Sequence, residues 1–193
     1  MKTMKDKILT VPNEALREKA EKVIEIDDEV KAIIKELREA ALDWERDNPY
    51  EMTAAMAAPQ LGYNKKIIII RENNESKDDI SFIPLINPKV VSTGRKTKTD
   101  YEGCLSVPEL FGKVERPTKA TIEAKMENGD DVRIKTYDQT ARVLLHEIDH
   151  LNGILFIDHI KGKKDAFYRL DKDGKLQPVD YSQTKDNKEL WGE

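Results

Sequence analysis

One cysteine, no long apolar run and no dominant sign of charge set the first limits on this chain. Cys104 stands alone, so no disulfide can form within the chain. Its thiol is either a small core residue or chemically employed. The longest unbroken aliphatic run, Ile67 to Ile70, falls far short of the roughly 20 apolar residues that a membrane-spanning helix needs. Met1 to Lys7 carries three lysines with no apolar segment after them, which argues against a secretory signal and makes a cytoplasmic location the expectation. The 33 Lys and Arg against 37 Asp and Glu leave a net charge of -4, mixed in sign along most of the chain. That mixture argues against a basic stripe for nucleic acid, so direct DNA binding is not expected, and neither is a membrane partner. Two short basic patches, Arg95 to Lys98 and Lys161 to Lys164, read as solvated loops. Internal repeats and low-complexity linkers are missing as well.

What is present suits a single core beneath a charged surface: 193 residues, 38% hydrophobic and 36% charged. Val30, Ile33, Ile34, Leu37, Ala41 and Trp44 form one apolar stripe, which predicts an amphipathic helix over Asp27 to Arg46 stopped by Asn48-Pro49. Leu16, Ala20 and Val23 suggest a short helical turn before it. Glu51 to Gly62, rich in Ala and Met and ending in Pro59-Gln60-Leu61-Gly62, reads as a loop packed into the interior. Lys66 to Arg71, Phe82 to Val91, Lys113 to Met126 and Val132 to Tyr137 are rich in β-branched or alternating residues and predict strands. Asn128-Gly129 marks a hairpin between the last two, and the polar stretch Arg71 to Ser81 is expected to be a mobile loop. A second helix is expected to start with Asp138 or Thr140 as its cap and run to about Leu151, stopped by Asn152-Gly153. Ile154 to Ile160 reads as a further strand. The polar tail from Lys161, with a turn at Asp173-Gly174, either packs loosely on the surface or docks through Trp191.

The chemistry concentrates in His146-Glu147-Ile148-Asp149-His150, an HExxH motif on the second predicted helix. Histidines at i and i+4 share one helical face, so both imidazoles can reach one metal ion, while the Glu147 carboxylate can meet a water on it. The alternative, a surface helix with incidental charges, conflicts with the apolar Val143, Leu144, Leu145, Ile148 and Leu151 around the motif. A catalytic ion needs a third protein ligand. His159 lies beyond the helix stop and reads as a satisfied or exposed histidine. Cys104, in Glu102-Gly103-Cys104-Leu105-Ser106, is the stronger candidate, since a thiolate binds Zn2+ or Fe2+ well and Gly103 lets the backbone turn closely.

Taken together, Ala57-Ala58-Pro59-Gln60, Glu102-Gly103-Cys104-Leu105-Ser106 and His146-Glu147-Ile148-Asp149-His150-Leu151 resemble the three-motif signature of peptide deformylase, over roughly Ile8 to Ile160. The resemblance implies an α+β fold in which antiparallel β-sheets surround a central helix carrying the HExxH motif, with the amphipathic helix N-terminal to it. Residues 1–160 would be the catalytic domain and residues 161–193 a polar extension of the same domain. It implies removal of the N-formyl group from the formyl-methionine of newly synthesised polypeptides, with release of formate. The expected partners are N-formyl-Met nascent peptides, with the ribosome as the place to meet them. One divalent ion per chain is implied, usually Fe2+, with Zn2+, Ni2+ or Co2+ able to substitute. Carried over by position, Cys104, His146 and His150 would bind the metal and Glu147 would be the acid/base. Gln60 and the Leu105 backbone N–H would face the formyl oxygen. Arg116 would neutralise Glu102 beside the thiolate, in a supporting role. Asp149 is either a partner of this kind or solvent-facing. Ala54, Ala55, Met56, Leu105 and Val143 are candidates to lie along the peptide or take the methionine side chain, with plain core as the alternative.

The chain departs from the family pattern at Thr53 and Ala55, where two glycines are usual, and at Leu145, where Gln is common. A Cβ would cost roughly 1 kcal/mol or more if either glycine position needed positive φ. The run Glu45 to Thr53 ahead of the first motif is longer than usual and would reshape the entrance. Three readings therefore stand side by side. The first is a working deformylase. The second is a deformylase-like metallohydrolase with an altered N-acyl substrate. The third is a metal-binding protein with the fold but without turnover, against which the presence of Glu147 counts.

Overall fold

The computed structural model describes residues 3–48, 52–73, 80–180, 182–185 and 187–191. The architecture is mixed α+β, two antiparallel sheets with few helices. Helix α1, Asp28–Asp47, begins where the Asp27 carboxylate accepts the Val30 N–H at 3.0 Å, and its buried face is Val30, Ile33, Ile34, Leu37, Ala40 and Ala41. Its C-terminal cap is Asn48; Pro49, the other half of the expected stop, lies outside the described residues. The expected turn near Leu16 is a 3-10 turn at Glu14–Arg17.

The first sheet runs in the order β1 (Ala55–Ala57), β2 (Ile67–Arg71), β3 (Phe82–Thr93), β6 (Lys119–Lys125) and β7 (Asp131–Tyr137). Strand alternation divides its side chains between two cores. Met56, Ile67, Ile69 and Ile86 pack towards α1, whereas Ala57, Ile68, Leu85 and Ile122 pack towards α2, Asp138–His150. This explains the isoleucine run of β2, a strand covered on both faces. The β6–β7 hairpin turns at Asn128-Gly129, where Gly129 has φ +91.

The second sheet has the order β4 (Thr97–Cys104), β5 (Val107–Pro117), β8 (Phe167–Leu170) and β9 (Leu176–Pro178). Helix α2 lies between the sheets: it packs on β1, β3, β6 and β7 and also contacts β5. A third core joins Val107, Leu110 and Val114 to Phe156, Ile160, Phe167, Leu190 and Trp191. The tail docks through its indole, as one of the two expectations had it: Trp191 is 8% exposed and its Nε1–H donates to the Thr184 carbonyl at 2.6 Å. Two short helices, α3 (Ser182–Lys185) and α4 (Lys188–Trp191), frame that contact. No helix among the described residues is long and apolar enough to cross a membrane.

Five expectations need correction. Lys113 to Met126 is not one strand, because the chain leaves the second sheet at Pro117-Thr118 and enters the first at Lys119. The basic patch Arg95 to Lys98 is only half loop: Thr97 and Lys98 pair with Pro117 and Arg116. Strand β4 carries too many polar residues on its exposed face for periodicity to reveal it. The segment Ile154 to Ile160 forms a 3-10 turn over Phe156–Ile160 instead of a strand. Asp158 closes it by accepting the Leu155 N–H at 2.7 Å, and a short apolar run alone does not separate the two forms. Neither Asp138 nor Thr140 caps α2. The cap position is Tyr137, and Asp138 turns the corner from β7 with φ 45, its N–H held by the Thr118 carbonyl. Finally, the expected interior loop Glu51 to Gly62 contains strand β1 and a 3-10 turn at Ala58–Leu61. Glu51, and residues 74–79 of the expected polar loop, lie outside the described residues.

Candidate metal centre

The last two turns of α2 and the end of β4 converge behind β1. Gly103 precedes Cys104 because no side chain fits there: a Cβ would stand 2.7 Å from the Phe111 ring. After Cys104 the chain reverses through Leu105-Ser106, and Cys104 pairs with Val107. The Cys104 Sγ comes to 3.2 Å from His150 Nε2, and the ligand atoms of Cys104, His146 and His150 all lie within 4.8 Å of one another. His146 Nδ1 is 2.9 Å from Glu102 Oε2. A carboxylate partner there fixes the tautomer and leaves Nε2 to face the cluster. Phe156 stacks against the His146 ring at 6.2 Å.

Electrostatics follow from this packing. Burial works against the Cys104 thiolate, but the imidazoles of His150 and His146 outweigh it and hold the thiol well below its ordinary pKa. Burial also works against a charged Glu102, yet hydrogen bonds from His146 and Arg116 hold its carboxyl well below the usual range. Arg116 grips Glu102 with Nε at 2.9 Å and Nη2 at 3.0 Å. Arg142 adds an Nη1 contact at 2.6 Å and secures itself on the carbonyls of Val114 and Lys98. Glu147 is 5% exposed, and burial pushes its carboxyl up. Its Oε2 and the His150 Nδ1 are buried with no hydrogen-bond partner.

Gln60, 3% exposed, completes the enclosure. Its Oε1 accepts the Ala57 N–H at 2.9 Å, which turns Nε2 towards Ser106 Oγ at 3.2 Å and Cys104 Sγ at 3.5 Å. Leu105 is half-buried beside Cys104. Among the expected peptide-lining residues, Met56 is a correction. It is fully buried in the core beneath α1 and has no surface to offer, because strand alternation points it away from α2. Ala54, Ala55 and Val143 are half-buried. Among the described residues strand β1 pairs only with β2 and is a sheet edge. The Ala54 carbonyl takes the Arg71 N–H, so the backbone groups of Ala55, one residue on, point to the open side. Neither Thr53 nor Ala55 is among the residues with positive φ, so their side chains carry no penalty of the kind expected. Instead, Thr53 is held by a buried pair: its N–H donates to Glu45 at 2.7 Å and its carbonyl accepts from Arg71 Nε at 3.2 Å. Arg71 is itself paired with Glu45.

Sulfur and two imidazole nitrogens brought this close, with one tautomer fixed and a buried carboxyl beside them, suit a divalent ion with one coordination position left over. The comparisons with known proteins agree. The model of the polypeptide deformylase family matches residues 5–166. The chain belongs to that family. Peptide deformylase 1 of Vibrio vulnificus is 39% identical over 172 residues, covering 88% of this chain and 96% of that protein. The crystal structure of a peptide deformylase from Legionella pneumophila superposes with a TM-score of 0.71 at 32% identity, covering 80% of this chain and 85% of that one. One from Synechococcus elongatus, in complex with actinonin, gives 0.70 at 34% identity, covering 81% and 79%. As a deformylase the chain is a hydrolase that removes N-formyl groups from nascent polypeptides, in a family that depends on a metal.

Sequence reasoning missed Arg142 and Ser106. A signal for Arg142 existed, since it lies at i−4 from His146 and i−8 from His150, on the same helical row as both. Ser106 has no such signal, because only the chain reversal after Cys104 brings it to Gln60.

Proposed function

We propose that Cys104, His146 and His150 hold one divalent ion, Fe2+ in the cell, and that Glu147 is the acid/base of deformylation. We take α2 as the central HExxH helix of the family's fold and α1 as its N-terminal amphipathic helix. Residues 1–160 form the catalytic domain and residues 161–193 its extension. The observation that carries the reading is the meeting of one sulfur and two imidazoles within 4.8 Å beside a buried, unpartnered carboxylate oxygen.

When bound, the ion supplies Lewis acidity, lowering the pKa of a water at its open position from near 16 to about 7. Glu147 takes the proton of the attacking water and returns it to the departing amine, which leaves formate and a free amino terminus. A carboxyl raised by burial is suited to both halves of that exchange. Gln60, its amide orientation fixed by the Ala57 N–H, donates Nε2–H to the formyl oxygen as charge builds there, alongside the Leu105 N–H. One such donor in an enclosed site is worth about 3 kcal/mol. Glu102, held by Arg116 and Arg142, keeps His146 in its ligating tautomer. The formyl-Met peptide lies along the open edge of β1 beside Ala55, with Ala54 and Val143 near its first side chain. The setting is the cytoplasm, on nascent chains at the ribosome.

Replacing Glu147 with Ala should leave metal content at one ion per chain and abolish formate release from formyl-Met-Ala; persistent activity would show that Glu147 is not the acid/base. Elemental analysis after anaerobic purification identifies the ion. Release of the free amino terminus from acetyl-Met-Ala, compared with that from formyl-Met-Ala, measures whether Thr53, Ala55 and Leu145 widen the substrate range. Actinonin should raise the unfolding temperature of the metal-loaded protein, as expected if its site matches that of the Synechococcus enzyme.

A further inference from the structure

The geometry points to His159 as a positioning residue for the metal-binding His146, acting through a chain of charged side chains and not by ligation. This rests on the assignment of Cys104, His146 and His150 to the metal. His159 Nε2 lies 2.7 Å from Asp149 Oδ2, and Arg116 Nη1 lies 2.5 Å from that same oxygen. The Arg116 guanidinium on that oxygen marks it as a carboxylate acceptor. An ionised carboxylate has no proton to donate, so the His159 Nε2 must carry the hydrogen. The 3.2 Å approach of Arg116 Nη1 to His159 Nε2 is then two donors meeting on one acceptor.

From Asp149 the connection runs inward without a gap. Arg116 spends Nη1 on Asp149 and the rest of its fork on Glu102, and Glu102 Oε2 accepts from His146 Nδ1. Exposure falls along the way: the His159 side chain is 35% exposed, Asp149 18% and Arg116 5%. Asp149 also adjoins His150 in the last turn of α2, where its carbonyl accepts the N–H groups of Asn152 and Ile154. Its side chain bears on His146 through Arg116 and Glu102. An exposed ion pair in isolation is worth little. Here the outer pair decides where Asp149 sits, and Asp149 shares its arginine with the carboxylate that orients His146. Without His159, Arg116 alone holds Oδ2 among the described residues, and the guanidinium is free to recentre on Glu102.

Two variants of the full chain separate positioning from mere surface packing. His159→Phe keeps the ring and removes the donor, whereas His159→Gln keeps an N–H near the Nε2 position. Zn2+ affinity of the metal-stripped proteins, measured by competition with a chromophoric chelator, should fall about 5- to 10-fold in His159→Phe, at or below the low end of the loss for direct partners of a ligand. It should return to within about twofold in His159→Gln, with unfolding temperatures of the metal-free proteins agreeing within about 2 °C. Equal affinity in wild type and His159→Phe would overturn the inference, as would equal losses in the two variants. A wild type that binds no Zn2+ would instead overturn the metal site itself, and this inference with it.

Discussion

Replacing Glu102 with Gln removes the charge on which two arginines and a histidine converge, while keeping the side chain's volume. The carboxylate is 4% exposed and accepts from Arg116 Nε at 2.9 Å, Arg116 Nη2 at 3.0 Å, Arg142 Nη1 at 2.6 Å and His146 Nδ1 at 2.9 Å. A glutamine offers one oxygen to those donors and sets its own NH2 against at least one of them. Breaking a buried pair by removing one partner costs about 3–5 kcal/mol. Arg116 keeps Asp149, and Arg142 keeps the carbonyls of Val114 and Lys98, so the lower end, about 3 kcal/mol, is expected. At this chain length each kcal/mol moves Tm by about 2–4 °C, which gives a fall of about 6–12 °C in the metal-free protein. His146 also loses the acceptor that fixes its tautomer, and Zn2+ affinity should drop about 10- to 100-fold. Thermal unfolding followed by circular dichroism and chelator competition measure the two effects. A Tm within about 2 °C of wild type together with Zn2+ affinity within about threefold would refute the reasoning.

Gly153 has φ +71, and a Cβ there would stand 2.2 Å from the Arg17 carbonyl oxygen; Gly153→Ala should cost about 2 kcal/mol or more, read as a lower midpoint in urea unfolding. Arg71→Met removes the group that holds Thr53 and pairs with Glu45 beneath β1. It should destabilise by about 3 kcal/mol and raise KM for formyl-Met-Ala more than it lowers kcat, with Zn2+ affinity unchanged; a loss confined to kcat would detach that pair from peptide binding. Stripping the ion should lower Tm, and Zn2+ restored at about 100 times its Kd should return about 2.7 kcal/mol, an effect that His150→Ala should abolish in the same melting assay.

The i, i+4 spacing of His146 and His150 is a property of any helix, and the apolar residues around them were enough to place that helix indoors. The stripe of α1 was legible for the same reason. Strand β4 was not, because Thr97, Lys98, Thr99 and Asp100 show no apolar alternation and are held by pairing with β5. The apolar run at Phe156–Ile160 fits either a strand or a turn, and the Asp158 carboxylate on the Leu155 N–H decides between them.

By itself the sequence determined the donor types, the helical row that carries two of them and the lone thiol as the stronger candidate for the third, since these depend only on residue identity and local periodicity. The tertiary structure alone decided that Cys104 reaches His150, that Glu102 is gripped by Arg142 as well as Arg116, and that Met56 faces away from α2. Those facts depend on which strand pairs with which and on the face each strand turns to α2. Such choices are settled by contacts between residues far apart in the chain, which no local pattern encodes.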